Sequence, residues 1–364
     1  MRLLTLVFLL LVFDGYAFMA IRTLVHNWQP SLRYLLYGVY WAVPALLLTW
    51  MLGSDAGWFE HWPKSTVTVV RTLFFIIYIS KMLVAAVMLV DDLRRLVGWL
   101  ANQLGSSVEF SAGRSRFLAQ LGLMLGAVPF FSLIYGMVRN PYRYRLFREK
   151  VLIPGLPDAL QGFKIVQISD IHSGSFLHKE PVRNAVDLIN AQEPDLVFFT
   201  GDLVNNKAEE AQPFVDVFDK INARHGAYSV LGNHDYGDYV RWGSESEKAA
   251  NMDLLKDTHR RIGWDLLLNE HRTLEVNGAK VAVIGVENYS THPRFPKYGD
   301  LKQATEGLGT ADLKLLLSHD PSHWEGEVTD DYKDIAITFS GHTHGMQFGV
   351  EIPGWIKWSP IKYV

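Results

Sequence analysis

Four long apolar stretches occupy the first part of the chain; short apolar runs that end in Asp, Asn or His occupy the rest. The long stretches cover residues 3–24, 34–52, 72–90 and 117–138. Each is about 18–22 residues, the length an α-helix needs to cross a bilayer's hydrocarbon core. The pattern predicts a four-helix membrane region over residues 1–138. A signal peptide is the competing reading of the first stretch. Against it, the run is long, Asp14 interrupts it, and no small-x-small cleavage site follows. Trp28, Tyr34, Trp58, Trp62 and Trp99 lie near the ends of the stretches, where interfacial aromatic belts belong.

Two charges break the apolar pattern at mid-span. Asp14 interrupts the first stretch and Lys81 the third. Charges at that depth are costly unless they pair or line a polar cavity. Two readings compete: an ion pair between the first and third helices, or offset spans whose charges snorkel outward. Four crossings return the chain to the side on which it began. Seven basic residues flank the spans on that side (Arg2, Lys64, Arg139, Arg143, Arg145, Arg148, Lys150) and six on the other (Arg22, Arg33, Arg94, Arg95, Arg114, Arg116). The dense basic run after the fourth stretch favours a cell-membrane protein with a cytoplasmic C-terminal domain. Residues 139–150 alternate basic and aromatic side chains, which fits an interfacial anchor for anionic lipid headgroups. A linker broken by Pro154, Gly155 and Pro157 follows, so that 139–160 forms the junction and 161–364 the second domain.

From residue 164 the period changes. Apolar runs at 164–169, 195–200, 227–231, 280–286, 314–318 and 335–340 read as buried strands. Polar stretches at 179–191, 208–223 and 244–261 read as helices, and Asn277-Gly278 as a hairpin turn. Residues 289–309, rich in Pro, Gly and Lys, read as a loop over a site. Alternating strands and helices predict an α/β domain, and such sheets bind ligands beyond the C-terminal ends of their strands.

Those ends carry the chemistry. The runs finish in Asp170 and His172, in Asp202, in Gly232-Asn233-His234-Asp235, in His319, and in His342 and His344. Asp170 and His172, two apart in an extended chain, would point the same way. Imidazole, carboxylate and amide oxygen suit divalent Mn, Fe or Zn. One ion does not need so many ligands; two ions about 4 Å apart, sharing a carboxylate, do. Asp202, alone at its strand end, is the candidate bridge. Each block alone has a plainer reading, since Gly-Asp after a strand is usually a turn and a single His usually structural. The other histidines, among them His259 and His323, take that reading.

Composition narrows the classes. The chain has 364 residues, 49% of them hydrophobic, and a formal net charge of −3. Nothing in that balance points to nucleic acid. There is no Cys, which removes thiolate nucleophiles and Cys-based zinc sites.

Taken together, Asp170-x-His172, Gly201-Asp202, Gly232-Asn233-His234-Asp235, His319 and Gly341-His342-x-His344 resemble the five motifs of the calcineurin-like metallophosphoesterases, in order and without substitution. The resemblance spans about residues 164–344. It implies a four-layer α/β/β/α sandwich. It also implies one metal on Asp170, His172, Asp202 and His344, and a second on Asp202, Asn233, His319 and His342. By the same resemblance His234 contacts the phosphate and assists the leaving group, Asp235 orients His234, and a metal-bridging hydroxide attacks phosphorus in line. The function implied is a membrane-anchored phosphoesterase acting on phosphoester or pyrophosphate bonds. The membrane anchor suggests a lipid-linked substrate, of which a UDP-diacylglucosamine-type pyrophosphate is one example. A non-hydrolytic membrane sensor or scaffold is the alternative, and a small transporter with an enzymatic appendage a third reading. Family members usually continue with further strands and an Asn-Arg-Gly-type loop, so about twenty residues after His344 suggest a truncated C-terminus.

Overall fold

The computed structural model describes residues 2–62, 64–105, 111–139, 142–344, 350–352 and 354–358. Its internal contacts divide the chain into two units, 1–143 and 144–364.

The first unit is four helices: α1 (Arg2–Val25), α2 (Pro30–Asp55), α3 (Lys64–Gln103) and α4 (Ala112–Arg139). All four are long and apolar enough to cross a membrane. Pro30 opens α2, where its missing N–H has no helical partner to lose. Pro44 sits inside α2 and interrupts its backbone ladder. Helices pack in lipid through small residues, because apolar side chains gain little by leaving an apolar solvent. Ala17, Ala20 and Ala119 accordingly lie buried with Val84 and Met88. At Gly126 a Cβ would fall 2.7 Å from Val84 Cγ2 and 3.0 Å from the Ser80 carbonyl oxygen, so only glycine lets α4 approach α3 there.

Asp14 and Lys81 meet. Lys81 Nζ lies 2.5 Å from Asp14 Oδ1, and the Tyr78 hydroxyl donates to Asp14 Oδ2 at 2.8 Å. Tyr40 donates to the Asp14 carbonyl at 2.7 Å, and Lys81 Nζ sits 4.4 Å from the Tyr40 ring centroid. Of the two sequence readings, the interhelical pair is the one the structure adopts. The third helix departs from expectation in length: α3 has 40 residues, not about twenty. Asp91, Arg94 and Arg95 end the apolar run without ending the helix. The arginines neutralise the buried Asp91 at 2.9 and 2.8 Å, and both donate to Ser115 of α4.

The second unit holds two four-stranded sheets. β1 (Ile165–Ile168), β2 (Leu196–Phe199), β3 (Ala227–Ser229) and β4 (Trp264–Leu266) pair in that order, all parallel. β5 (Glu270–Val276) and β6 (Ala279–Gly285) form an antiparallel hairpin about Asn277-Gly278; β7 (Leu313–Leu317) and β8 (Ile337–Phe339) extend it in parallel. A short antiparallel pair, β9 (Val350–Ile352) and β10 (Ile356–Trp358), follows.

Strand periodicity sorts the cores. Phe198 of β2, Val281 and Val283 of β6, and Leu315 and Leu317 of β7 point between the sheets. Their neighbours Phe199, Ile284 and Leu316 point outward. Phe199 packs beneath α5 (Lys179–Asn190), α6 (Val215–Phe218) and α7 (Glu245–Arg261). Ile284 and Leu316 pack beneath α8 (Leu301–Thr305) and the turn around Val328. The result is helices, sheet, sheet, helices, the four-layer order expected.

Local chemistry explains the boundaries. Ser244 caps α7 by accepting from Glu247 N, and the Glu247 carboxylate returns to Gly243 N. The helix expected over 208–223 breaks into two single turns and the four-residue α6; Pro213 lies within the break. The loop expected over 289–309 contains α8, capped by Asp300. The presumed linker is packed rather than loose: Leu160 is buried, and Ile153 and Leu156 rest on the inter-sheet core. Residues 143–150 carry no strand or α-helix, and Arg148 donates to Gln192 at 2.8 Å.

Candidate metal centre

All nine residues singled out in the sequence lie at the ends of β1, β2, β3, β7 and β8. The loops beyond β1 and β2 stay paired after the strands stop. Asp170 N donates to Gly201 O, His172 N to Asp202 O, and Ser173 N to Leu203 O, each at 2.9–3.0 Å. Asp170 and His172 both have left-handed backbone (φ 52° and 47°), so their side chains are not aligned by an extended strand, contrary to the sequence expectation. They converge through a turn instead.

Potential ligand atoms of Asp170, His172, Asp202 and His344 lie within 4.8 Å of one another. His172 Nε2 and His344 Nε2 are 3.2 Å apart, and His344 Nε2 is 3.4 Å from Asp170 Oδ1. On the other side of Asp202, His319 Nε2 lies 3.2 Å from Asp202 Oδ2 and 3.2 Å from Asn233 Oδ1. His342 Nδ1 is 2.8 Å from Asn233 Oδ1. Such spacings, 2.8–3.4 Å, match neighbouring ligands that each lie ~2.0–2.2 Å from one ion.

Proton bookkeeping tests that fit. His319 Nδ1 lies 2.7 Å from the Thr200 carbonyl, which can only accept, so Nδ1 carries the proton and Nε2 presents a lone pair. Nε2 therefore faces two oxygens, on Asp202 and Asn233. Asp202 Oδ2 is buried without a hydrogen-bond partner among the described residues. It also lies 3.5 Å from His172 Nε2. Acceptors converging on acceptors need a cation between them. The donor set of imidazole nitrogen, carboxylate and amide oxygen is that of a borderline divalent ion.

In the metal-free centre a proton takes that place. Burial opposes charge on His319, but the Asp202 carboxylate outweighs it and raises the imidazole to about 9. Burial likewise opposes ionisation of Asp202, and His319 with His172 holds its carboxyl well below the usual range. His172 and His342 are lowered, chiefly by burial.

The tetrapeptide after β3 is fitted by contact. A Cβ on Gly232 would overlap the Asp202 side chain, so the residue is glycine for close approach. Asn233 donates its amide to Tyr239 Oη at 2.9 Å, which turns Oδ1 into the site. His234 N donates to Asp202 Oδ1 at 2.9 Å. The expectation that Asp235 orients the His234 ring is corrected. Asp235 is fully buried, and its carboxylate accepts from the backbone N–H groups of Asp202, Leu203, Val204 and Gly232. Burial and the Asp202 charge push Asp235 up to about 7, while those amide donors favour the carboxylate. What holds the His234 ring is the Asn205 carbonyl, 2.7 Å from Nδ1.

The sequence reading assigned no role to four contributors. Asp320 Oδ2 lies 3.7 Å from His342 Nε2, and Ser322 N holds its other oxygen. Its place beside His319 was the available signal. Tyr239 and the Asn205 carbonyl orient Asn233 and His234. Phe295 sets its ring edge-on to His342 at 4.6 Å, which brings the 289–309 segment to the site.

Comparison with known proteins agrees with this geometry. Residues 163–346, about half of the chain, match the family described as calcineurin-like phosphoesterase. Residues 1–141 match "Probable Calcineurin-like phosphoesterase, transmembrane domain". A zebrafish (Danio rerio) protein named "Transmembrane protein with metallophosphoesterase domain" is 26% identical over 255 residues, 69% of this chain and 55% of the relative. The Bacillus subtilis "Uncharacterized metallophosphoesterase YkuE" is 28% identical over 236 residues, 63% of this chain and 76% of that protein. A Campylobacter jejuni "Uncharacterized metallophosphoesterase" is 25% identical over 232 residues, 64% of this chain and 56% of its own. The chain thus spans about half the length of several relatives. With the five strand-end motifs gathered on two facing sheets, in a domain that follows four membrane-length helices in the sequence, the chain belongs to the calcineurin-like phosphoesterase family.

Proposed function

We propose that the chain is a membrane-anchored phosphoesterase whose centre holds two divalent ions and hydrolyses a phosphoester or pyrophosphate bond of a lipid-linked substrate on the cytoplasmic side. The observation that carries this reading is Asp202 Oδ2, buried with no hydrogen-bond partner among the described residues and flanked by His172 Nε2 and His319 Nε2. One ion would take Asp170, His172, Asp202 and His344, and the other Asp202, Asn233, His319 and His342. Ions so held would supply Lewis acidity toward phosphoryl oxygens and lower the pKa of water.

The chain's own residues do the rest. Asp202 would lend its carboxylate to both ligand sets, and its Oδ1 accepts from His234 N. Thr200 O fixes the His319 ring, and Asp320 faces the far nitrogen of His342, so both rings stay aimed while substrate binds. With Nδ1 held by Asn205 O, His234 directs Nε2 toward the reacting phosphoryl group. In its doubly protonated form it donates to the leaving oxygen there. Phe295 covers His342 and restricts water on that side.

The test is hydrolysis of bis-p-nitrophenyl phosphate and p-nitrophenyl phosphate by the purified full chain, with and without added Mn²⁺. Metal-dependent turnover of either ester is expected. No turnover by protein shown to hold two ions would favour the non-hydrolytic sensor instead.

A further inference from the structure

A cleft of about 200 Å³ runs between α1 and α2 in the membrane unit. Val7 and Leu10 of α1 form one wall, and Leu48 and Met51 of α2 the other; Asp14 and Tyr78 stand at its inner end. On α1 the lining runs from residue 7 to residue 14, about 10 Å of helix at 1.5 Å per residue. On α2 it runs from Trp41 to Met51, about 15 Å. It therefore begins near the end where α1 starts and α2 finishes, and stops near mid-span. That depth is close to half of the ~30 Å hydrocarbon core, one leaflet's share. Buried Pro44 lies in the α2 wall, where the interrupted ladder leaves the helix free to bend away from α1.

The chemistry of the floor decides what fits. Asp14 is fully buried and committed to Lys81 and Tyr78, while Lys81 rests against the rings of Tyr40 and Tyr78. The two charges cancel and their hydrogen bonds are made within the protein. An ionised ligand gains nothing there, and the walls are apolar side chains apart from the indole of Trp41. The helices around the cleft are of membrane-spanning length and composition, so the solvent at its mouth is lipid.

We infer that this cleft seats one hydrocarbon chain, acyl or prenyl, of a membrane lipid from the leaflet where α1 begins, and that the Asp14–Tyr78–Lys81 cluster stops the chain at mid-bilayer. The site is separate from the metal centre and stands whether or not the phosphoester chemistry does.

The experiment uses the full chain in phosphatidylcholine nanodiscs containing phosphatidylcholine with a diazirine in one chain. After photolysis, labelled peptides are mapped by mass spectrometry. Labelling at Leu10 and Leu48 is expected to exceed that at Leu35 and Val39, which are exposed on α2 outside the cleft, by several-fold. Ala45, which also lines the cleft, gives the blocking variant. Ala45→Trp should lower cleft labelling several-fold and leave Leu35 and Val39 unchanged. If that variant does not assemble, Leu48→Phe, read at Leu10, serves the same purpose. Equal labelling inside and outside the cleft, labelling indifferent to both variants, or crosslinks to a second polypeptide in place of lipid would each overturn the inference.

Discussion

Asp170, His172, Asp202, His342 and His344 all hold φ between 47° and 70°, a region few residues with a side chain accept. Asp, Asn and His enter it more readily than other non-glycine residues, at about 1–3 kcal/mol each when the surroundings enforce it. Here the enforcement is visible: His342 N donates to both oxygens of Asp170, and His172 N to Asp202 O. A ligand exchange such as Asp170→Glu would meet a backbone penalty before it met a coordination one. The same detail separates two neighbours that look alike in sequence. His234→Ala should lower kcat by about 10²–10⁴ while two ions per chain remain. Asp235→Asn should turn an amide N–H₂ toward backbone donors, cost on the order of 2–3 kcal/mol of stability and lower metal content. Metal analysis and thermal unfolding of both variants separate these outcomes; an Asp235→Asn protein of full stability and metal content but low kcat would restore the ring-orienting role. At this scale the metal-ligand candidates were legible because their side chains do the work. Asn205 was not, because a carbonyl acts and any residue carries one. Asp320 was visible beside His319, but its target, His342, lies 22 residues on and is reached only through the β7–β8 pairing.

Elements were legible where one physical signal dominated. Short continuous apolar runs placed β1, β2, β3, β6, β7 and β8, and the polar stretch from residue 244 placed α7. β4 was missed because three residues, Trp264–Leu266, carry no period and owe their strand to pairing with β3. In α3 hydropathy marked the spanning portion and not the helix, which persists because Asp91 finds two arginines and a serine. The Asp14–Lys81 pair ties α1 to α3 and should behave as a unit. Asp14→Asn or Lys81→Met alone strands a buried charge and should destabilise the full chain by about 3–5 kcal/mol. The double variant should be less destabilised than the sum of the singles, read from unfolding in mixed detergent micelles. Simple additivity would mean that the pair, though formed, contributes no coupling.

Across the molecule, metal and protons compete for one centre. With His319 raised to about 9 in the metal-free protein, its proton stabilises the fold fully below the unfolded value near 6.5. That stabilisation is lost as pH rises through about 9, by roughly 1 kcal/mol per pH unit in between. Chelated protein should therefore lose Tm from pH 6.5 to 9. Metal-loaded protein should not, and metal affinity should rise with pH over the same window, with proton release seen by calorimetry in buffers of different ionisation enthalpy. A chelated protein whose Tm is flat across that window would mean His319 is neutral there. The membrane unit has a different long-range property. Forty residues make α3 about 60 Å long, twice the hydrocarbon thickness. Its length therefore cannot tell the protein how deep to sit, and thicker or thinner bilayers would slide along it with little resistance. The charge pair shared with α1 can, since moving it off the mid-plane also drags the 24-residue α1, which at about 36 Å has little length to spare. The long α3 thus takes its depth from the charge pair rather than from its own length, and its vertical register should survive changes in lipid chain length that would tilt a simpler bundle.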